Sequence, residues 1–257
     1  MTMGRIEVER DRRGVLTLLL VNPGRKNALS NAMVYGLCEV IGAAAADPEV
    51  RVVVLRGCDG VFCAGRDLND LLALQQASQS EIARMYDRME DMNRAVLQCP
   101  LPVIAVAEGY ALGIGAMLVT WADIALGAEE CLFGYPEVRH GIVPYGAVPT
   151  MMRSMPHRAV MDLLLTGRRF GGAEAARLGI LSEAVPAGAL DVRLAETLEA
   201  VLAGRRDAQI GIKRFAQQCE LLSHDAAVAA ATRNAKAGTG KGSGAAGGMA
   251  AFLQRKG

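Results

Sequence analysis

Much of what this chain does not contain narrows its function. Its net charge is only +1 and its sequence pI about 7.6, so no broad basic field or stripe invites nucleic acid or an anionic membrane surface. It has no uninterrupted apolar run of the roughly 18 residues that a membrane-crossing helix needs. The opening "MTMGRIEVERDRRG" is too polar for a secretory signal, and a cytoplasmic protein is expected. The six cysteines (Cys38, Cys58, Cys63, Cys99, Cys131, Cys219) are scattered, with no C-x-x-C and no companion histidines. They read as reduced packing thiols, with no metal site and no bound cofactor. Repeats with a period of about 20–50 residues are absent. The glycine-rich "AGTGKGSGAAGG" at 237–248 lacks the phosphate-loop spacing, because Ala235 and Gly242 stand where that pattern needs glycine and a hydroxyl residue. It reads as a flexible hinge before a last helix, "MAAFLQRKG".

What is present is an ordinary globular composition: 257 residues, 51% hydrophobic, 21% charged and only 4% aromatic. That length can bury one large core. "RIEVER", "GVLTLLLV", "RVVVLRG", "PVIAVAEG" and "DIALGA" read as strands, most of them continuous apolar runs of the kind buried on both faces. Between them lie helical stretches: "AMVYGLCEVIGAAAA", capped by Ser30 or Asn31; one opened by the Ser78–Glu81 capping box and reaching about Gln98; and one from about Gly115. From Ala147 onward the pattern is mostly helical. The expected architecture is an α/β core at 1–195 and a C-terminal helical region at 196–257.

Three segments could carry chemistry. "FCAGRDL" and "GYALGIG" each follow a buried strand and lead toward a helix start, where unpaired N–H groups point outward. Side by side, two such turns could aim two amides at one oxygen atom; either one alone also fits glycine used for close packing. The third, "FGYPEVRHGIVPYG", holds Glu137, His140 and Tyr145 in a stretch whose prolines and glycines keep it out of regular helix.

The chain resembles the crotonase, or enoyl-CoA hydratase/isomerase, superfamily. The likeness runs in order through "NPGRKNALSNAM", "DPEVRVVVLRG", "VFCAGRDLND", "PVIAVAEGYALGIGAMLVTWADIALGAEECLFGYPEVRHGIVP", "LLLTGRRFGGAEAARLGILSEAVP" and "GMAAFLQRKG". It implies a spiral of ββα units, a helical trimerisation region giving a homotrimer or a dimer of trimers, and acyl-CoA thioester substrates. It further implies that the backbone N–H groups of Arg66 and Ile114 grip the thioester oxygen, with Gly113 and Met117 in the pocket. Arg25, Lys26, Ala28, Ala64, Asp67 and Leu68 would lie along the CoA moiety.

Glu137 falls on one of the two family glutamates, in "F-G-x-P-E". Where hydratases carry the second, at position 117, this chain has methionine. A C–H beside a thioester carbonyl becomes acidic once the enolate oxygen is held by donors, and one carboxylate can then move the proton. Hydration must also position and deprotonate water, whereas moving a double bond needs only one base. A lone glutamate therefore favours isomerisation, with hydration aided by His140 or Tyr145 as the alternative. Tyr145, in "VPYG", also resembles the tyrosine of decarboxylating members. The Arg66 side chain could reach a substrate carboxylate or face solvent. The acidic motif before the last helix in relatives is "AAGGMAAF" here, which together with Met117 would suit a CoA-ester-binding protein without turnover.

Overall fold

The computed structural model describes residues 4–238. Its first half alternates strands and helices: β1 (Arg5–Arg10), β2 (Val15–Val21), α1 (Asn31–Ala46), β3 (Val52–Gly57), α2 (Leu68–Leu74), α3 (Gln79–Leu97), β4 (Val103–Ala107), β5 (Tyr110–Leu112), α4 (Ile114–Trp121), β6 (Ile124–Ala128) and β7 (Leu132–Gly134). A 3-10 turn at Pro136–His140 follows, then α5 (Ala147–Ser154), α6 (His157–Thr166), β8 (Arg169–Phe170), α7 (Gly172–Arg177), β9 (Glu183–Val185) and α8 (Leu190–Ala203). The helices α9 (Arg206–Cys219) and α10 (His224–Gly238) complete the described chain.

The strands form two sheets. The larger has the order β1-β2-β3-β4-β6-β9 and is parallel except for the β1–β2 hairpin. The smaller is β5-β7-β8. In β3, Val52 to Leu55 are all buried, and so is every residue of β4, as continuous apolar runs in parallel strands predict. Each fully buried Val, Leu or Ile contributes about 1.5–3 kcal/mol relative to an exposed one, so these central strands anchor the frame that carries the turns at their ends.

The helix signals act as the sequence suggests. Ser30 caps α1 through Met33 N–H, and the Ser78–Glu81 capping box opens α3. Helix α4 starts at Ile114, and its N-cap is Gly113. The strands β5, β7 and β8 are two or three residues long, too short to show a period.

The chain divides into two compact units between Ala203 and Gly204. The boundary expected after residue 195 falls inside α8, because "LDVRLAETLEAVLA" contains no helix breaker before Gly204. In the second unit none of α9's residues is buried. The expected hinge at 237–248 lies outside the described residues from 239 onward, as does "MAAFLQRKG".

Candidate active site

The two glycine-rich turns lie alongside one another. Phe62 N–H donates to Glu108 O at 2.9 Å, Cys63 N–H to Tyr110 O at 2.8 Å and Leu112 N–H to Cys63 O at 3.0 Å. This short parallel ladder, centred on the Cys63–Ala111 bridge, carries the turn after β3 and the turn after β5 in register. Each turn then bends at a glycine in a backbone region that other residues enter only under strain, Gly65 at φ +108° and Gly113 at φ +52°, ψ −120°. A Cβ placed on Gly113 would come within 4.0 Å of Gly65 Cα. The next residue in each turn, Arg66 and Ile114, has a backbone amide that donates to no acceptor among the described residues. Two unpaired N–H groups thus sit at adjacent bends, where an oxygen atom can be held.

Glu137 arrives at the same place from the third segment. Gly113 N–H donates to Gly134 O at 2.8 Å, fixing the end of β7 beside the start of α4. The chain then passes into the Pro136–His140 turn, whose first residue is proline. That short path lays the Glu137 carboxylate over Gly113, so that a Cβ there would stand 2.6 Å from Oε1. The other oxygen, Oε2, is buried and has no hydrogen-bond partner among the described residues. Burial raises the Glu137 pKa above the ordinary glutamate value, while nearby His140 pulls the other way. A carboxylate placed in this manner binds protons readily and has a free oxygen to exchange them. Below it, the buried Tyr135 hydroxyl shares a hydrogen bond with Thr120 at 3.2 Å. Burial pushes that phenol up to about 12, so it stays protonated.

Met117 lies one turn into α4 and is 7% exposed. Its Cε would contact a Cβ on Gly146 at 3.1 Å, so an apolar methyl fills the space between α4 and the start of α5. Neither His140 nor Tyr145 makes a side-chain hydrogen bond with Glu137 among the described residues. His140 is exposed at the end of the 3-10 turn, and Tyr145 is 77% exposed with no side-chain hydrogen bond among the described residues.

The residues expected along CoA form one contiguous strip. Ala64 N–H donates to Lys26 O at 3.0 Å and Leu29 N–H to Gly65 O at 2.7 Å. Lys26 and Asn27 adopt positive φ. Asn27 is held there by its side chain, which accepts from Asn22 N–H and donates to Cys58 O and Val61 O. Within the strip Ala28 is buried and Ala64 half-buried. Arg25 is an ion-pair partner of the buried Asp67 at 3.0 Å, and Asp67 also caps α2 and accepts from Asn22. Its cation is therefore already neutralised. Lys26 and Leu68 are exposed, the former with Nζ 4.3 Å over the Tyr110 ring. Asn22, Asn27 and Tyr110 were not singled out from the sequence. Only the turn composition of "NPGRKN" hints at the first two.

The Arg66 side chain is engaged at the start of α1. It donates to Leu29 O at 3.3 Å and to Asn31 Oδ1 at 2.6 Å, and burial lowers its pKa.

Comparison with known proteins identifies the family and the fold. The sequence model of the enoyl-CoA hydratase/isomerase family matches residues 10–257. The 2,3-dehydroadipyl-CoA hydratase of Escherichia coli is 32% identical over 187 residues, which cover 72% of this chain and 70% of that protein. The bovine enoyl-CoA hydratase domain-containing protein 2, mitochondrial, is 33% identical over 174 residues, or 67% of this chain. The match spans 58% of that relative's length. Among solved structures, Pseudomonas aeruginosa AtuE superimposes with a TM-score of 0.90 at 33% identity, covering 97% of this chain and 96% of that one. An enoyl-CoA hydratase of Mycobacterium smegmatis gives a TM-score of 0.90 at 30% identity, covering 97% and 96%.

Proposed function

Because the chain belongs to the enoyl-CoA hydratase/isomerase family and has its crotonase-type α/β fold, we propose that it is an enzyme that holds an acyl-CoA thioester as its enolate and moves protons with Glu137. The Arg66 and Ile114 amides receive the thioester oxygen. Glu137 removes a proton from the carbon chain and returns it. The carrying observation is the Glu137 carboxylate, half desolvated and unpartnered at Oε2, lying over the glycine that begins α4.

Within this chemistry, double-bond isomerisation is favoured. Met117 presents a methyl where a water-holding carboxylate would otherwise stand, and a thioether accepts hydrogen bonds only weakly. The second reading is hydration with Glu137 and a helper. It is supported by the names of the relatives, several of them hydratases. Decarboxylation through Tyr145 draws no support from a ring that is 77% exposed. Of the CoA strip, Lys26 is the exposed cation suited to a phosphate, whereas Arg25 is engaged by Asp67. A homotrimer or dimer of trimers belongs to the same proposal, in keeping with the exposure of Ile212, Leu221 and Val228 on the second unit. A stable monomer in sedimentation would remove it.

The test is Glu137→Gln. The amide keeps the shape but cannot act as a base, so CoA-ester binding should persist while deuterium exchange at the substrate α- or γ-carbon falls by about 10²–10⁴-fold. Exchange at the wild-type rate in this variant would overturn the assignment.

A further inference from the structure

The geometry points to the Arg66 guanidinium as a positioning residue that fixes the direction of its own backbone amide, and this inference rests on the oxyanion reading just proposed. The N–H and C=O of one trans peptide point in opposite directions. The peptide joining Gly65 to Arg66 has its oxygen held by Leu29 N–H at 2.7 Å. Its N–H, the Arg66 amide, must therefore point away from Leu29, toward the bend beside Gly113. Anything that lets Leu29 shift relative to the turn will swing that amide.

Three contacts keep Leu29 in place, two from the backbone of the turn and one from the Arg66 side chain. Leu29 N–H bonds Gly65 O, Asp67 N–H bonds Leu29 O at 3.0 Å, and the Arg66 guanidinium bonds the same Leu29 O at 3.3 Å. A second arm of the guanidinium reaches Asn31 Oδ1 at 2.6 Å, at the first residue of α1. The clamp thus ties the turn to a helix of 16 residues, a stiffer support than the loop itself. It is needed because Gly65, with φ +108°, is the softest residue of the turn. Both acceptors are neutral, and no carboxylate lies within ion-pair distance of Arg66 among the described residues. Hydrogen bonds from a charged donor are stronger than neutral ones, and a partly buried guanidinium has little water to exchange them for.

Arg66→Met retains the length of the stem and removes every donor, and Arg66→Lys restores one. The readouts are α-proton exchange on butyryl-CoA, its KM, the Kd of free CoA (which has no thioester carbonyl), and the infrared carbonyl stretch of bound butyryl-CoA. Arg66→Met should lower kcat for exchange by about 10- to 100-fold, the scale of a misplacement near 1 Å. KM and the CoA Kd should stay within a few-fold, and the bound carbonyl stretch should move back toward its frequency in water. Lysine should recover part of both losses. Should Arg66→Met fail to fold, Asn31→Ala removes only the outer acceptor and should give a smaller loss of the same kind. A folded Arg66→Met with unchanged kcat and carbonyl stretch overturns the inference. So does a loss confined to KM, which would mean that the side chain contacts substrate. A wild type with no exchange at all would instead defeat the proposed function, and the carbonyl stretch would still decide the positioning role.

Discussion

Replacing Gly113 with alanine should damage the site in two separable ways. The backbone there has φ +52° and ψ −120°, a region that non-glycine residues enter at about 1–3 kcal/mol. For a chain of this size that corresponds to roughly 2–4 °C in Tm for each kcal/mol. The added methyl would also stand 2.6 Å from Glu137 Oε1, whereas carbon and oxygen approach comfortably only at about 3.3 Å. The carboxylate must therefore retreat by about 0.7 Å, or the backbone must rotate. Rotation at ψ of residue 113 re-aims the Ile114 N–H, because ψ sets the plane of the following peptide. Either response misplaces a reacting group, and a displacement near 1 Å reduces turnover by about 10²-fold. The CoA strip does not include Gly113, so the affinity for free CoA should hold. Thermal melting, calorimetry with CoA, and deuterium exchange on butyryl-CoA measure the three effects separately. A Gly113→Ala protein that melts lower yet exchanges within a few-fold of wild type would show that the closeness of Glu137 to Gly113 has no part in proton transfer.

Met117→Glu should raise water addition relative to double-bond migration on a short enoyl-CoA, since a second carboxylate can hold water beside Glu137. Repulsion between the two acids will leave one partly protonated and limit the gain. A wild type already hydrating crotonyl-CoA at ordinary enzyme rates, about 10 per second, would refute the preference for isomerisation. Burial raises the Glu137 pKa, so exchange should grow with pH through an apparent pKa above the ordinary glutamate value of about 4.3, and a limb at or below that value would contradict it. A raised folded-state pKa means that the protonated form is favoured in the fold. The corresponding stability is complete below the unfolded pKa and is lost as pH climbs through the folded one. Glu137→Gln should accordingly gain stability over wild type as pH rises through that window, and a difference independent of pH would count against burial as the cause.

Legibility from the sequence tracked the range of the interactions involved. Continuous apolar runs announced β3 and β4 because both their faces are covered, and Ser78 with Glu81 announced α3 because a capping box is local. The three-residue strands β5 and β7 left no trace, since a period cannot be read from so few residues. Sequence neighbourhood did not reveal the exposure of Tyr145 and His140. They share a short segment with Glu137, but the 3-10 turn and the following loop carry them outward. The pairing of Arg25 with Asp67, both expected along CoA, was not readable because the two lie 42 residues apart. The clamp on Leu29 was likewise out of reach, 37 residues from Arg66. Position 117 was readable only as a departure from a resembling pattern; its contact with Gly146 required coordinates.

The two unpaired amides at residues 66 and 114 have a genetic consequence. Every codon except proline's supplies a peptide N–H, so almost no single-base change at either position can delete a donor. The vulnerable codons are those just upstream, for Gly65 and Gly113, where any substitution introduces a Cβ into a positive-φ bend. Residue 114, buried in the core, should therefore tolerate other apolar side chains of similar size, whereas any change at 113 should impair proton transfer. On the proposed reading, a survey of tolerated changes would show an invariant glycine beside a residue that varies only among apolar side chains and binds through its backbone.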